Sequence, residues 1–164
     1  MKNKSISVIK YFSLIVLFCT MAVSNIAKAQ ISQGSAVSLD KPNLWTSKDL
    51  IEPAELASIL KGKKSSHPLI LNIGVVENIQ GAKSMGAASK KENVDKLQAQ
   101  LKSVPKNTKV VIYCGCCPFD KCPNIRPAFS MMKQMGFHNG KLLNIPVNIK
   151  QNWIAKGYPM LSNN

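Results

Sequence analysis

Four cysteines crowd into nine residues of one segment, Cys114, Cys116, Cys117 and Cys122 within VVIYCGCCPFDKCPNIRPAF, residues 110–129. A cysteine acts as nucleophile or soft-metal ligand through its thiolate, so neighbours that favour ionisation decide what such a loop can do. Arg126, the chain's single arginine among 22 cationic side chains, closes the loop. Its planar, permanently charged fork suits two-point recognition of an anion in a way lysine does not. Cys114 to Cys117 has the C-x-x-C spacing of thiol–disulfide exchange, with Cys116, Cys117 or Cys122 available to resolve a mixed species. The same residues, as C-x-C-C-x4-C, also form a soft donor set for Cu(I) or Zn(II). Structural stapling is a poor explanation, because bridges inside so short a loop would close tiny rings and join no distant elements. The only histidines, His67 and His138, lie outside the motif, which fits a thiolate, a nucleophile that needs no histidine base.

Such a loop needs a frame. Residues 109–113 are a buried strand by their apolar run, and the segment after the loop is a helix with Ile125, Ala128, Phe129, Met132 and Met135 on its inner side. The methionines read as core filler rather than ligands. Further apolar runs at 68–73 and 141–145 predict two more strands, and a short strand is possible within 74–88. Residues 53–60 and 93–101 have helical spacing, the first burying Leu56, Ile59 and Leu60, the second Val94, Leu97 and Leu101; a short helix and turn closes the chain at 152–159. Alternating helices and apolar strands call for an α/β fold of three layers, a central and mostly parallel sheet flanked by helices. A cysteine leaving such a strand sits at the carboxyl edge of the sheet, where ligands bind in open α/β folds. Backbone N–H groups of residues 115–124 and the dipole of the next helix are expected to form an anion cradle there.

Residues 1–29 have the form of a secretory signal: Lys2, Lys4 and Lys10, then an uncharged apolar stretch, then Ala27-Lys28-Ala29. Its apolar run is short for a membrane span, so the expected product has no stable membrane insertion after cleavage, is exported to a periplasmic or extracellular space, and loses Cys19; a retained N-terminal anchor is the alternative. Residues 30–47 read as a linker with Leu44 and Trp45 tucked against the domain, 48–160 as the domain and 161–164 as a tail. The chain carries a net charge of +14, with lysines scattered and no arginine cluster. That balance fits small anions or an acidic partner and gives no motif for nucleic acid.

In order along the chain, these pieces resemble rhodanese-like domains. Strand, cysteine, cradle loop, arginine and helix look like that family's active-site loop. Residues 51–57 (IEPAELA) are similar to its first helix, Ile79-Gln80-Gly81-Ala82 to the end of its Gly-His-Ile-Pro-Gly-Ala segment, and residues 153–159 to its tryptophan and Gly-Tyr-Pro ending. The chain departs from the pattern at Asn72, where the family has aspartate, at Asn78, where it has histidine, and in a longer interval from Cys114 to Arg126. The resemblance implies a sulfurtransferase or persulfide carrier with no cofactor. Cys114 would take sulfane sulfur from a small anionic donor such as thiosulfate and pass it to a thiol acceptor or protein partner. Arg126 would orient the donor, and Cys116, Cys117 and Cys122 are candidate resolving thiols. Counting back from Arg126 lands near Cys122; Cys114 is preferred because its place at the strand end sets the geometry. Thiol–disulfide exchange, four-cysteine soft-metal binding and a catalytically silent binding module are the other readings.

Overall fold

The computed structural model describes residues 44–162. The signal segment, Cys19 and the linker up to residue 43 lie outside the described residues. The expected three-layer α/β architecture is present. Five parallel strands, β1 (Leu50–Ile51), β2 (Leu69–Asn72), β3 (Ala82–Ser84), β4 (Val110–Tyr113) and β5 (Lys141–Leu143), form one sheet in the order β1-β5-β4-β2-β3. Four α-helices accompany them: α1 (Pro53–Lys61), α2 (Lys91–Lys102), α3 (Ile125–Gln134) and α4 (Ile149–Asn152).

β4 occupies the centre of the sheet, and all four of its residues are buried. Strand side chains alternate between faces, so its apolar run must feed two cores at once. Val110 and Ile112 join Leu71, Ile73 and Leu142 beneath α2 (Leu97, Leu101) and α3 (Ile125, Ala128, Phe129, Met132). Val111 and Tyr113 join Ile70 and Leu143 beneath α1 (Leu56, Ala57, Leu60) and α4 (Ile149), with Trp153. Cys114 continues the first series and therefore points toward α3.

Three local readings of the sequence are corrected. Leu50 and Ile51 form an edge strand, paired with Leu142 and Leu143, that the sequence does not announce. Leu44 is not tucked against the domain but 48 % exposed, whereas Trp45 is buried there as expected, at 7 % exposure. The Trp45 ring packs against Phe119 and Phe129, with centroids 5.8 and 5.9 Å away, so aromatic burial draws this segment into the domain. The last helix begins at Ile149 rather than 152, capped by the Asn148 side chain accepting from the Gln151 N–H. Within α3, Met131 is buried and Met135 only partly so.

The chain end clamps the β2–β3 connection. Gln80 N–H donates to the Pro159 carbonyl and Leu161 N–H to that of Asn78, while Ile79 bridges Met160. The Trp153 indole N–H donates to the same Pro159 carbonyl, and the Trp153 ring meets Tyr158 edge-on. No helix among the described residues is long and apolar enough to cross a membrane.

Candidate functional site

Cys114 is the first residue beyond the central strand, and the chain must turn there without leaving the sheet edge. Gly115 makes that turn with φ +79°, and a Cβ at this position would meet Ile149 Cβ at 2.8 Å. Its carbonyl accepts from the Ile149 N–H at 2.8 Å, so the start of α4 holds the turn in place. From the other side, Gly74 lies directly against the cysteine: an added Cβ would stand 2.6 Å from Cys114 Sγ and 2.9 Å from its carbonyl oxygen. Cys114 thus lies under the Gly74 backbone at 2 % exposure.

The loop returns three of its cysteines to this point. The sulfurs of Cys114, Cys116 and Cys122 lie within 4.8 Å of one another. Cys114 Sγ is 3.2 Å from Cys116 Sγ, and Cys116 Sγ is 3.9 Å from Cys122 Sγ. Cys117 Sγ stands 3.4 Å from Cys116 Sγ, so all four predicted thiols gather. All four are free cysteines; Cys114 and Cys122 are buried, Cys116 is exposed and Cys117 half-buried.

Sequence reasoning missed the polar partner at the centre. Asn124 is 5 % exposed and sits at the N-cap of α3 without capping it. Its Oδ1 instead accepts from the Ser89 N–H at 2.8 Å, and its Nδ2 donates to Cys114 Sγ at 3.1 Å. The Ser89 contact fixes which end of the amide faces the sulfur, since only a carbonyl oxygen can accept from an N–H. An asparagine before a helix reads as a cap, and that ordinary reading hides this role.

Donors converge on one sulfur. The Cys122 thiol above all, then the Cys116 N–H, the Asn124 amide and the Cys116 thiol, outweigh burial and hold the Cys114 thiol down to about 5. The donors shift the other way. Hydrogen bonding to Cys114, followed by burial, pushes Cys122 up, although the Asn124 N–H opposes this. Desolvation of its sulfur within the cluster and its bond to Cys114 push Cys116 up to about 12, although the residue itself is exposed. The shifts favour a thiolate on Cys114 that accepts hydrogen bonds from the Cys116 and Cys122 thiols.

The cradle is narrower than the sequence predicts. Of residues 115–124, the Cys116 N–H serves Cys114 and the Asn124 N–H serves Cys122. A 3-10 turn at Phe119–Lys121 consumes others: Lys121 and Cys122 donate to the carbonyls of Pro118 and Phe119, and Phe119 donates to that of Ile145. Arg126, in the first turn of α3, stacks its guanidinium over Trp45 at 5.2 Å from the ring centroid. That indole is in turn packed on Phe119 of the loop. His67 and His138 stand elsewhere, the former with its ring 3.4 Å from the Gly62 carbonyl, the latter exposed.

The wall opposite the loop is built by the two asparagines at which the sequence departs from the rhodanese pattern. Asn72, 1 % exposed at the end of β2, donates to the Val76 carbonyl at 2.7 Å and to Asn78 Oδ1 at 3.0 Å, and accepts from the Gly74 N–H at 2.9 Å. One amide thus shapes the turn that presses Gly74 against Cys114. Tyr113 supports the same turn from below, its hydroxyl accepting from the Ile79 N–H at 3.0 Å and donating to the Glu77 carbonyl at 3.1 Å. Burial pushes that phenol upward and keeps it neutral.

The chain matches no protein-family model and no curated protein sequence. The cluster's chemistry therefore rests on its own geometry, which suits a thiol-based or a metal-binding role.

Proposed function

We propose that the protein is a sulfurtransferase or persulfide carrier of rhodanese-like type, with Cys114 as the sulfur-accepting nucleophile. The observation that carries this reading is the donor set on one sulfur: Asn124 Nδ2 at 3.1 Å and Cys116 Sγ at 3.2 Å, with the Cys122 thiol and the Cys116 N–H beside them. Such a set keeps a thiolate ready at neutral pH without a base.

With thiosulfate as donor, the Cys114 thiolate attacks the outer sulfur. The sulfur–sulfur bond of the donor breaks, sulfite leaves with the bonding electron pair, and Cys114 carries a persulfide. Arg126 supplies the fixed positive charge that draws the anionic donor to this end of the sheet. An acceptor thiolate then takes the outer sulfur and regenerates the Cys114 thiolate. Cys116 offers a second exit. The Cys116 thiol gives its proton to the outer sulfur as its own sulfur attacks Cys114 Sγ; hydrosulfide leaves with the bonding pair, and a Cys114–Cys116 disulfide remains for an external dithiol to reduce. The signal-like start of the chain supports an exported setting for this exchange.

The test is sulfite release. Reduced protein mixed with thiosulfate should liberate about one sulfite per chain, and Cys114→Ser should liberate none while keeping the native circular dichroism spectrum. Equal release from the variant would remove Cys114 from the role.

A further inference from the structure

The sulfur cluster offers more ligands than the covalent steps of sulfur transfer use. A nucleophile with one resolving thiol exchanges bonds between two sulfurs, yet three converge here, and the third, Cys122, buried at 2 % exposure beside Cys114, serves those steps only as a hydrogen-bond donor. The geometry points to a three-thiolate site for a soft monovalent ion, Cu(I), formed by Cys114, Cys116 and Cys122. Binding there would make copper and sulfane sulfur mutually exclusive occupants of Cys114. The exclusion rests on the sulfur-accepting role proposed above, whereas the copper site itself does not.

Spacing comes first. Around one ion with metal–sulfur bonds of about 2.3 Å, three sulfurs in a plane stand roughly 4 Å apart. The three sulfurs here already lie within 4.8 Å of each other, at 3.2 and 3.9 Å for the two pairs that include Cys116. Only small side-chain rotations separate this arrangement from a coordinated one. Cys116, on the exposed side, provides the entry, while Cys114 and Cys122 form the buried floor.

Donor type and number then choose the ion. Thiolate sulfur selects soft ions, with Cu(I) and Zn(II) foremost. Zinc in a structural site takes four tetrahedral ligands. Among the described residues, no histidine or carboxylate joins the three sulfurs as a metal-binding group. Cys117 touches the cluster through Cys116 at 3.4 Å and adjoins it in sequence, a placement that sets it outside the triad. Copper(I), singly charged and softer than Zn(II), is satisfied by three thiolates and needs no fourth group. Binding is a ligand exchange without electron transfer: three copper–sulfur bonds form, and each thiol still protonated releases its proton to solvent.

The experiment is an anaerobic titration of the reduced full-length chain with Cu(I) held by a coloured Cu(I) chelator, with the chelator's absorbance reporting copper withdrawn. One copper per chain is expected, together with an ultraviolet thiolate-to-copper charge-transfer band. Cys116→Ser, an exposed change that tests the site without disturbing the core, should weaken binding by more than about a hundredfold, beyond the loss of an outer-shell partner. Cys122→Ser should do the same in protein shown to be folded. Cys117→Ser should stay within about tenfold of the parent. The copper-loaded chain should take up no sulfur from thiosulfate, and chelator should restore uptake to the level of the metal-free chain. Copper left on the chelator, equal losses in Cys117→Ser and Cys116→Ser, or displacement of bound Cu(I) by an equal concentration of Zn(II) would each overturn the assignment. Sulfur uptake by metal-free protein is read separately: copper binding without uptake would sink the sulfur-transfer reading alone, and uptake without copper binding would sink this one alone.

Discussion

Asn124 Nδ2 donates to Cys114 Sγ at 3.1 Å from an amide whose oxygen is tied to the Ser89 N–H at 2.8 Å. The loop after β3, the start of α3 and the end of β4 therefore meet in one hydrogen-bond chain that ends on sulfur. A hydrogen bond to a charged group contributes about 1.5–3 kcal/mol, and each pH unit in a thiol's midpoint corresponds to about 1.4 kcal/mol. Asn124→Ala should raise the Cys114 midpoint from about 5 by roughly one to two pH units. The measurement is the rate of iodoacetamide alkylation of Cys114 against pH, read by peptide mapping. An unmoved midpoint would show that Asn124 is structural only.

The sulfurs also give stability a defined pH dependence. Folding depresses the Cys114 midpoint to about 5, so its contribution is complete above the unfolded thiol value and is lost as pH falls through about 5. Folding raises Cys116 and Cys122, so theirs is complete below the unfolded value and is lost as pH climbs toward their folded midpoints. Stability should accordingly rise from pH 5 toward 8 and decline above about 9. Urea midpoints across that range check this, with Cys114→Ser expected to flatten the rise. A variant with the same slope as the parent would place its origin elsewhere.

Gly74 is where the turn after β2 meets Cys114. Any side chain there must displace the backbone of Cys114 as well as its sulfur, at 2.9 and 2.6 Å from the new carbon. Gly74→Ala should cost about 1–3 kcal/mol in denaturant unfolding and slow Cys114 alkylation. Parent-like stability together with parent-like reactivity would mean that the contact is loose.

Tyr113 holds the Ile79 N–H and the Glu77 carbonyl through one hydroxyl. Tyr113→Phe keeps the ring and leaves the Ile79 N–H unpaired in the core, a loss of about 1–3 kcal/mol. Urea denaturation measures it. A change below about 0.5 kcal/mol, the range of neutral surface substitutions, would mean that the turn relaxes to another partner.

The sheet was legible where burial on both faces forces a continuous apolar run, as in β2 and β4. β1 escaped because two residues carry no period; Leu50 and Ile51 become a strand only through Leu142 and Leu143, some ninety residues away in sequence. Trp45 was expected to tuck against the domain, but not where: its partners Phe119 and Phe129 lie in no local window. The four cysteines were visible as a cluster because they share one loop. Asn124 and Asn72 were not visible as site builders, since an asparagine's work depends on which N–H groups the fold brings to it. Asn72 and Asn78, two separate departures from the rhodanese pattern in sequence, are hydrogen-bonded to each other in the fold at 3.0 Å.

The central claim is that Cys114 accepts sulfur. Intact-protein mass spectrometry of the reduced chain before and after thiosulfate, with peptide mapping of the product, tests it most directly. The account predicts a gain equal to one sulfur atom, located on the Cys114 peptide, removed by reductant and absent from Cys114→Ser. A mass unchanged by thiosulfate, or the added sulfur located on Cys122 with Cys114 unmodified, would contradict it.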